Sequence, residues 1–251
     1  MAEILKNVRI FNGGADLTSA SNKVEVGGEA EERDVTTFGS YDAATDRIWK
    51  EVIAGTKTGK ASASGFWQAG DPGMVDDASW SSLGGVGAWT VCPRGAAVGD
   101  VAYVTQAMRG SYQLGGTQGE IAPWSAGWSG SYPIVRGLIA HPPGTARTAT
   151  GVGTAVQHLA VPAGGELIAA LHVLSVAGTA TPTITVKIQS DDAAGFSSPT
   201  DLITFTAATA RGGEAKRLAG PVTDTYYRAS WTITGTTPSF LFVVSLGVSP
   251  A

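Results

Sequence analysis

The strongest constraint on this chain is a side-chain alternation of period two that recurs through its last third. In TPTITVKIQS, Ile184, Val186 and Ile188 fall on one side, opposite Thr183, Thr185, Lys187 and Gln189. In TYYRASWTIT, Tyr227, Ala229, Trp231 and Ile233 share a face opposite Tyr226, Arg228, Ser230 and Thr232. The closing run FLFVVSLGV aligns Phe240, Phe242, Val244, Leu246 and Val248. Successive strand residues point to opposite faces, so these segments read as strands with one buried side. ELIAALHVLSV is more uniformly apolar and fits a buried strand or a short helix; its flanking Gly and Pro favour the strand.

The rest of the chain continues in the same manner. Runs rich in Val, Ile, Thr and aromatics alternate with clusters of Gly, Pro, Asn, Asp and Ser, and the 34 Gly and 12 Pro act as punctuation. The fold class is therefore mainly all-β. One helix is expected over Asp42–Gly55, from its acidic first turn, Ile48, Trp49 and Val52 at helical spacing, and Gly55 as a stop. A loop running into a strand is the competing reading. The stretch HPPGTARTATGVGTAV, residues 141–156, lacks apolar periodicity and reads as a linker. It divides the chain into residues 1–140 and 157–251, the second with the size and strand count of an antiparallel sandwich.

Several function classes are poorly served. No apolar run is long enough to span a membrane, and the start MAEILKNVRIF has no leader-like cleavage pattern. A net charge of −4 without a dense Lys/Arg cluster disfavours gripping nucleic acid. The single cysteine, Cys92, reads as a small, half-buried apolar residue. His141, His158 and His172 match no metal-ligand spacing; His172 is expected as a core or edge residue of an apolar strand and His141 in the linker. GTKTGK lacks the phosphate-loop spacing, and no serine sits in a GxSxG elbow. The expectation is a non-enzyme with no catalytic residue, metal or cofactor.

Three clusters remain. Glu25, Glu29, Glu31, Glu32 and Asp34 crowd one segment without the oxygen-ligand spacing of a calcium loop, and read as a solvated strand. Asp191, Asp192 and Asp201 read as a hairpin connection. Trp124, Trp128 and Tyr132 recur at even spacing, so on a strand they line one face as core or as interface. A carbohydrate platform is the alternative use of such rings.

Several of these segments together carry a family likeness. NKVEVGGEAEERDVTTFGS contains a D-x-T-x-F-G type element at Asp34, Thr36, Thr37, Phe38 and Gly39. IWKEVIAGTKTGKASASGFWQAGDPG follows, with Trp49, Gly55, Ser62, Ser64 and Gly65. These stretches resemble the tail tube (major tail) proteins of long-tailed bacteriophages. AYVTQAMRGSYQLGGTQGEIAPWSAGWSGSYPIVRG and the final third look like phage virion proteins of the same kind.

The resemblance implies a β-sandwich or barrel with a flanking helix over residues 1–140 and a C-terminal sandwich on the tube exterior. It also implies six copies closing into a ring, rings stacking into a tube, and DNA passing through without sticking. Partners would be other copies of the chain, other tail proteins and transiently DNA, in a virion made in the host cytoplasm, with no membrane insertion. Glu25, Glu29 and Glu31 share strand parity and would face the lumen. The glycine-rich SSLGGVGAW and the segment Asp71–Asp77 would contact neighbouring subunits. A head-decoration or tail-tip protein, or a carbohydrate-binding module, is the alternative.

Overall fold

The structure, a computed structural model, describes residues 4–70 and 74–249. The chain opens with β1 (Arg9–Asn12), β2 (Ala15–Asp16) and β3 (Ser21–Asp34). A small hairpin, β4 (Tyr41–Asp42) and β5 (Arg47–Ile48), leads into β6 (Val52–Phe66). The helix α1 (Val75–Ser81) then precedes β7 (Val86–Cys92), β8 (Val101–Leu114), β9 (Pro123–Gly130) and β10 (Val135–His141). The short strands β11 (Gly151–Val152) and β12 (Val156–Gln157) follow. Last come β13 (Glu166–Asp191), β14 (Thr200–Thr204), β15 (Gly212–Ala219) and β16 (Tyr226–Ser249). The all-β reading holds, with antiparallel pairing running along the path β14-β13-β16-β10-β8-β7-β1-β2.

The helix expected over Asp42–Gly55 does not form; that stretch makes β4, β5 and the start of β6. Local side-chain bonds decide this. Asp42 accepts from the Ala44 amide (2.9 Å) and the Thr45 hydroxyl (2.8 Å), while the Tyr41 hydroxyl donates to Asp46 (3.0 Å). Asp46 itself turns the chain at a φ of 51°. Such bonds offer the backbone an alternative to helix. The one α-helix among the described residues is α1, which buries Val75 and Ser79.

β13 and β16 pair from Glu166 opposite Ser249 to Asp191 opposite Tyr226, with register shifts between Ala177 and Thr183. At this corner Gly178, Ala180, Thr181, Gly235 and Thr237 all have positive φ. The strand pair folds back on itself there. Trp231 and Phe242 lie on the same strand, yet their rings meet edge to face with centroids 5.5 Å apart; a straight strand would hold them about 36 Å apart. One core therefore takes Leu167, Leu171, Ile184, Ile188, Trp231 and Phe242 together.

A second core lies in the first half, around Ile10, Leu17, Trp89, Trp124 and Trp128. A third joins the two halves: Phe11, Ala88, Val104 and Ile139 pack against Ile168, Ala170 and Val243. ELIAALHVLSV is thus apolar throughout because it is a strand with a core on each face: Leu167, Ala169 and Leu171 face one, Ile168 and Ala170 the other. The stretch 141–156 runs along β16: Arg147 exchanges backbone bonds with Phe240, Gly151 lies opposite Trp231, and Val156 opposite Tyr227. His141, expected in a linker, ends β10 buried and stacked on Phe242, with ring centroids 4.2 Å apart.

Candidate assembly surface

The most prominent surface feature is an arm. β3 and β6 pair along their whole length, from Ser21 opposite Gly65 to Asp34 opposite Val52. β9 supports β6 only from Lys60 to Phe66, so the distal half is a two-stranded ribbon. Beyond Gly28, whose partner is Gly59, that ribbon runs about 20 Å further before its tip. A lone two-stranded ribbon in water is marginal, so this one depends on ladder bonds, side-chain bonds and whatever covers it.

The tip is built by the residues of the D-x-T-x-F-G element. The Asp34 carboxylate accepts from the Thr36 amide (2.9 Å), and the Thr36 hydroxyl accepts from the Glu51 amide across the ribbon (2.9 Å). The Thr37 hydroxyl accepts from the Gly39 amide and Ser40 answers by accepting from the Thr37 amide, each at 3.2 Å, a capping box around one 3-10 turn. The hydroxyls of Thr36 and Thr45 hold the Asp34 and Asp42 carboxyls below their usual range. The ordered tip presents apolar side chains to solvent. Phe38 is 100% exposed and Trp49 65%, with Val35, Tyr41, Ile48, Val52 and Ile53 also exposed. Apolar residues concentrated on one exposed element mark an interaction surface.

At the arm's root lies a groove of about 630 Å³ between Gly27–Ala30 on one side and Tyr103, Tyr132 and Arg136 on the other. Gly59 is required there, because a Cβ would come within 2.7 Å of Ile134 Cγ1.

Glu25, Glu29 and Glu31 lie exposed along the arm, each with a cation. Lys23 is 2.7 Å from Glu25, Lys60 3.1 Å from Glu29, and Arg33 2.9 Å from Glu31. Lys50 pairs with Glu32 near the tip. The Lys23 ammonium and the Ser62 hydroxyl hold the Glu25 carboxyl below its ordinary range. The stripe is charge-balanced rather than bare acid.

No family model matches the chain, and no curated protein matches it. Solved structures do. A chain of the virion of a native gene transfer agent (GTA) particle aligns over 53% of this chain and 97% of its own, at 18% identity and TM-score 0.41. A chain of the tail of an empty GTA particle, computed with helical refinement and C6 symmetry, gives the same coverage and identity at TM-score 0.40. The SPP1 Dit (gp 19.1) protein, described as a hub adsorption apparatus protein of phages infecting Gram-positive hosts, aligns over 97% of this chain and 99% of its own, at 12% identity and TM-score 0.31. Likenesses of this strength leave the functional reading to the chain's own residues.

The other residues singled out in the sequence are structural. Trp124 and Trp128 are buried in the first-half core, and the Trp124 indole donates to the Ala20 carbonyl (3.0 Å). Tyr132 is half-buried under Arg217, whose guanidinium carbon is 5.0 Å from the ring centroid. The three rings therefore form no exposed platform. Cys92 is buried, and its thiol is pushed up to about 12 by that burial. Asp191 accepts from the amides of Ala193 and Ser198, closing a turn. Of the segment Asp71–Asp77, residues 71–73 lie outside the described residues. In the glycine-rich stretch that follows α1, Leu83 and Val86 are exposed. Among the described residues no three His, Cys, Asp or Glu side chains gather as a metal site, and no helix is long and apolar enough to cross a membrane.

The sequence pattern placed Ile48, Trp49 and Val52 of the tip on a helix face and so missed the arm. The available signal was the density of Asp, Thr and Ser between Asp34 and Asp46, residue types that bond to nearby backbone and favour turns.

Proposed function

We propose that this chain is a structural subunit of a phage tail, and within that class the major tail tube subunit. The observation that carries the reading is the arm: an ordered tip, built by the same residues that carry the family likeness, which holds Phe38 and Trp49 out in solvent. Exposed rings on a ribbon with no cover of its own call for a partner surface, and a second copy of the chain supplies one. A protruding arm and a groove at different places on one molecule make a head-to-tail contact, which closes into a ring when the rotation allows. Six copies per ring, rings stacked into a tube, and the C-terminal unit 157–251 outside complete the proposal. Glu25, Glu29 and Glu31 then line the lumen within a stripe whose balanced charges neither grip nor strongly repel phosphate. The subunit resides in the virion beside other tail proteins, is made in the host cytoplasm, and performs no catalysis.

Negative-stain microscopy of the purified chain, with sedimentation velocity, tests this. Six-fold rings or tubes are expected, and Phe38→Ser with Trp49→Ser should leave a folded monomer that no longer assembles. A wild-type chain that stays monomeric at high concentration and captures glycans instead would overturn the reading. Rings that decorate a surface without stacking would point to the head-decoration role.

A further inference from the structure

Beside the end of β8 the surface brings together an open indole, a second aromatic ring and a carboxylate held in place. α1 buries Val75 and Ser79, while Trp80, next along the helix, is left 70% exposed. The Trp80 ring meets Tyr112 of β8 edge to face, with centroids 6.4 Å apart. Asp76 stands four residues before Trp80, so helical spacing carries both to one side of α1. The Tyr112 hydroxyl donates to the Asp76 carboxylate at 2.5 Å. With Leu114 and Pro123, these three residues wall a groove of about 990 Å³.

The charges here have one sign. Hydrogen bonds from the Tyr112 hydroxyl and the Trp67 side chain hold the Asp76 carboxyl below its ordinary range, so it is an anion at neutral pH. Burial and the same bond push the Tyr112 phenol up, so that ring stays neutral. Neither Lys nor Arg is among the described residues that line the groove. The chain segments 66–93 and 110–135, which build most of it, contain no Lys or Arg, and Asp76, Asp77 and Glu120 lie within them. A ring face attracts a cation through its quadrupole, more strongly once the cation is partly desolvated. A neighbouring carboxylate adds the attraction of a full charge. An anionic ligand would meet acids alone, and a purely apolar one would desolvate Asp76 without compensation.

We propose that this groove binds an organic ammonium group, seated on the Trp80 ring with Asp76 as its counter-ion. Tyr112 is a positioning residue that aims the carboxylate. The group arrives either on a small quaternary amine or as a lysine side chain of a second copy of the chain. The site does not depend on the role in a phage tail.

The full chain is titrated with choline chloride by calorimetry at constant ionic strength. Two comparators are dimethylbutanol, the uncharged carbon isostere of choline, and methyl glucoside. Choline should bind the wild type, and bind Trp80→Ala and Asp76→Asn about tenfold more weakly. The neutral isostere should bind the wild type more weakly by a similar factor. Trp80 is exposed, so its replacement leaves the core intact. Sedimentation velocity separates the two sources. A free amine leaves the wild-type sedimentation coefficient unchanged. A lysine from a second copy gives a different pattern: choline dissociates the wild type, and Trp80→Ala associates weakly from the start. Equal binding of choline and its isostere, equal responses of wild type and Trp80→Ala, preference for the glucoside, or no effect of choline in either readout would overturn the proposal.

Discussion

His172 Nδ1 donates to the carbonyl oxygen of Gly13 at 2.9 Å, tying the longest strand of the second half to the first turn of the chain. A carbonyl can only accept, so the proton sits on Nδ1 and Nε2 is the acceptor. The Thr90 hydroxyl donates to Nε2 (2.8 Å), and the Ser245 hydroxyl in turn donates to Thr90 (2.8 Å). One neutral imidazole thereby fixes the relation of β1, β7, β13 and β16 inside the core that joins the halves. The same turn is closed by backbone: a Cβ on Gly213 would come within 2.7 Å of Gly13 Cα.

Replacing His172 by Leu keeps the apolar volume but strands the Gly13 carbonyl and breaks the hydroxyl chain. A buried acceptor left unmade costs about 1–3 kcal/mol, and the variant should lose stability in that range or slightly above it. Urea unfolding followed by tryptophan fluorescence measures the loss. A variant as stable as the wild type would mean that water reaches this bond.

Acid should unfold the protein through the same histidine and through His141. Burial pushes both down to about 4, with the Arg147 charge adding to the effect at His141. In the unfolded chain each takes up its proton near pH 6.5. Between these values the unfolded state binds more protons, so stability is level above about pH 7 and falls as pH drops from 6.5 toward 4. The full fall amounts to about 3 kcal/mol for each residue. Unfolding at pH 7.5, 5.5 and 4.5 gives the slope, to which His158, also lowered by burial, adds in the same direction; His172→Leu should make the slope shallower.

Gly137 on β10 sits where a Cβ would overlap the Leu246 carbonyl oxygen of β16. Gly137→Ala must therefore push apart the two strands that connect the halves. Overpacking of this kind costs about 1–3 kcal/mol, occasionally more, and backbone contacts give least. A thermal melt lowered by less than a few degrees would show that the strand pair shifts freely.

Reversing Glu25, Glu29 and Glu31 to Lys should leave the thermal midpoint unchanged, since exposed pairs contribute little. The new charges would face Lys23, Arg33 and Lys60. Amide exchange beyond Gly28 should then quicken while the body stays protected. In particles, rings should still form while DNA passage is impaired. Loss of assembly would place these residues in an interface instead of a lumen.

How far the residues themselves disclosed this fold depends on the range of the forces involved. Ile184, Val186 and Ile188, and Phe240 to Val248, announced their strands because alternation is a local consequence of backbone geometry. His141 was misplaced because its partners, Trp231 and Phe242, lie far along the chain, and two prolines beside it look like a connection. The arm was missed for the opposite reason. Ile48, Trp49 and Val52 have helical spacing, but side-chain bonds from Asp42 and a left-handed Asp46 settle the conformation locally.

Strand identity, the buried faces of the last third and the absence of familiar catalytic motifs were all decided by the order of residues alone, since each follows from neighbours a few positions apart. Tertiary structure decided what those strands enclose. It folded β13 and β16 back on themselves, put a core on both faces of ELIAALHVLSV, buried Arg109 without an acceptor, and left Phe38 without a cover. These outcomes depend on which distant surfaces exclude water from one another, a property of the folded chain that no window of sequence contains.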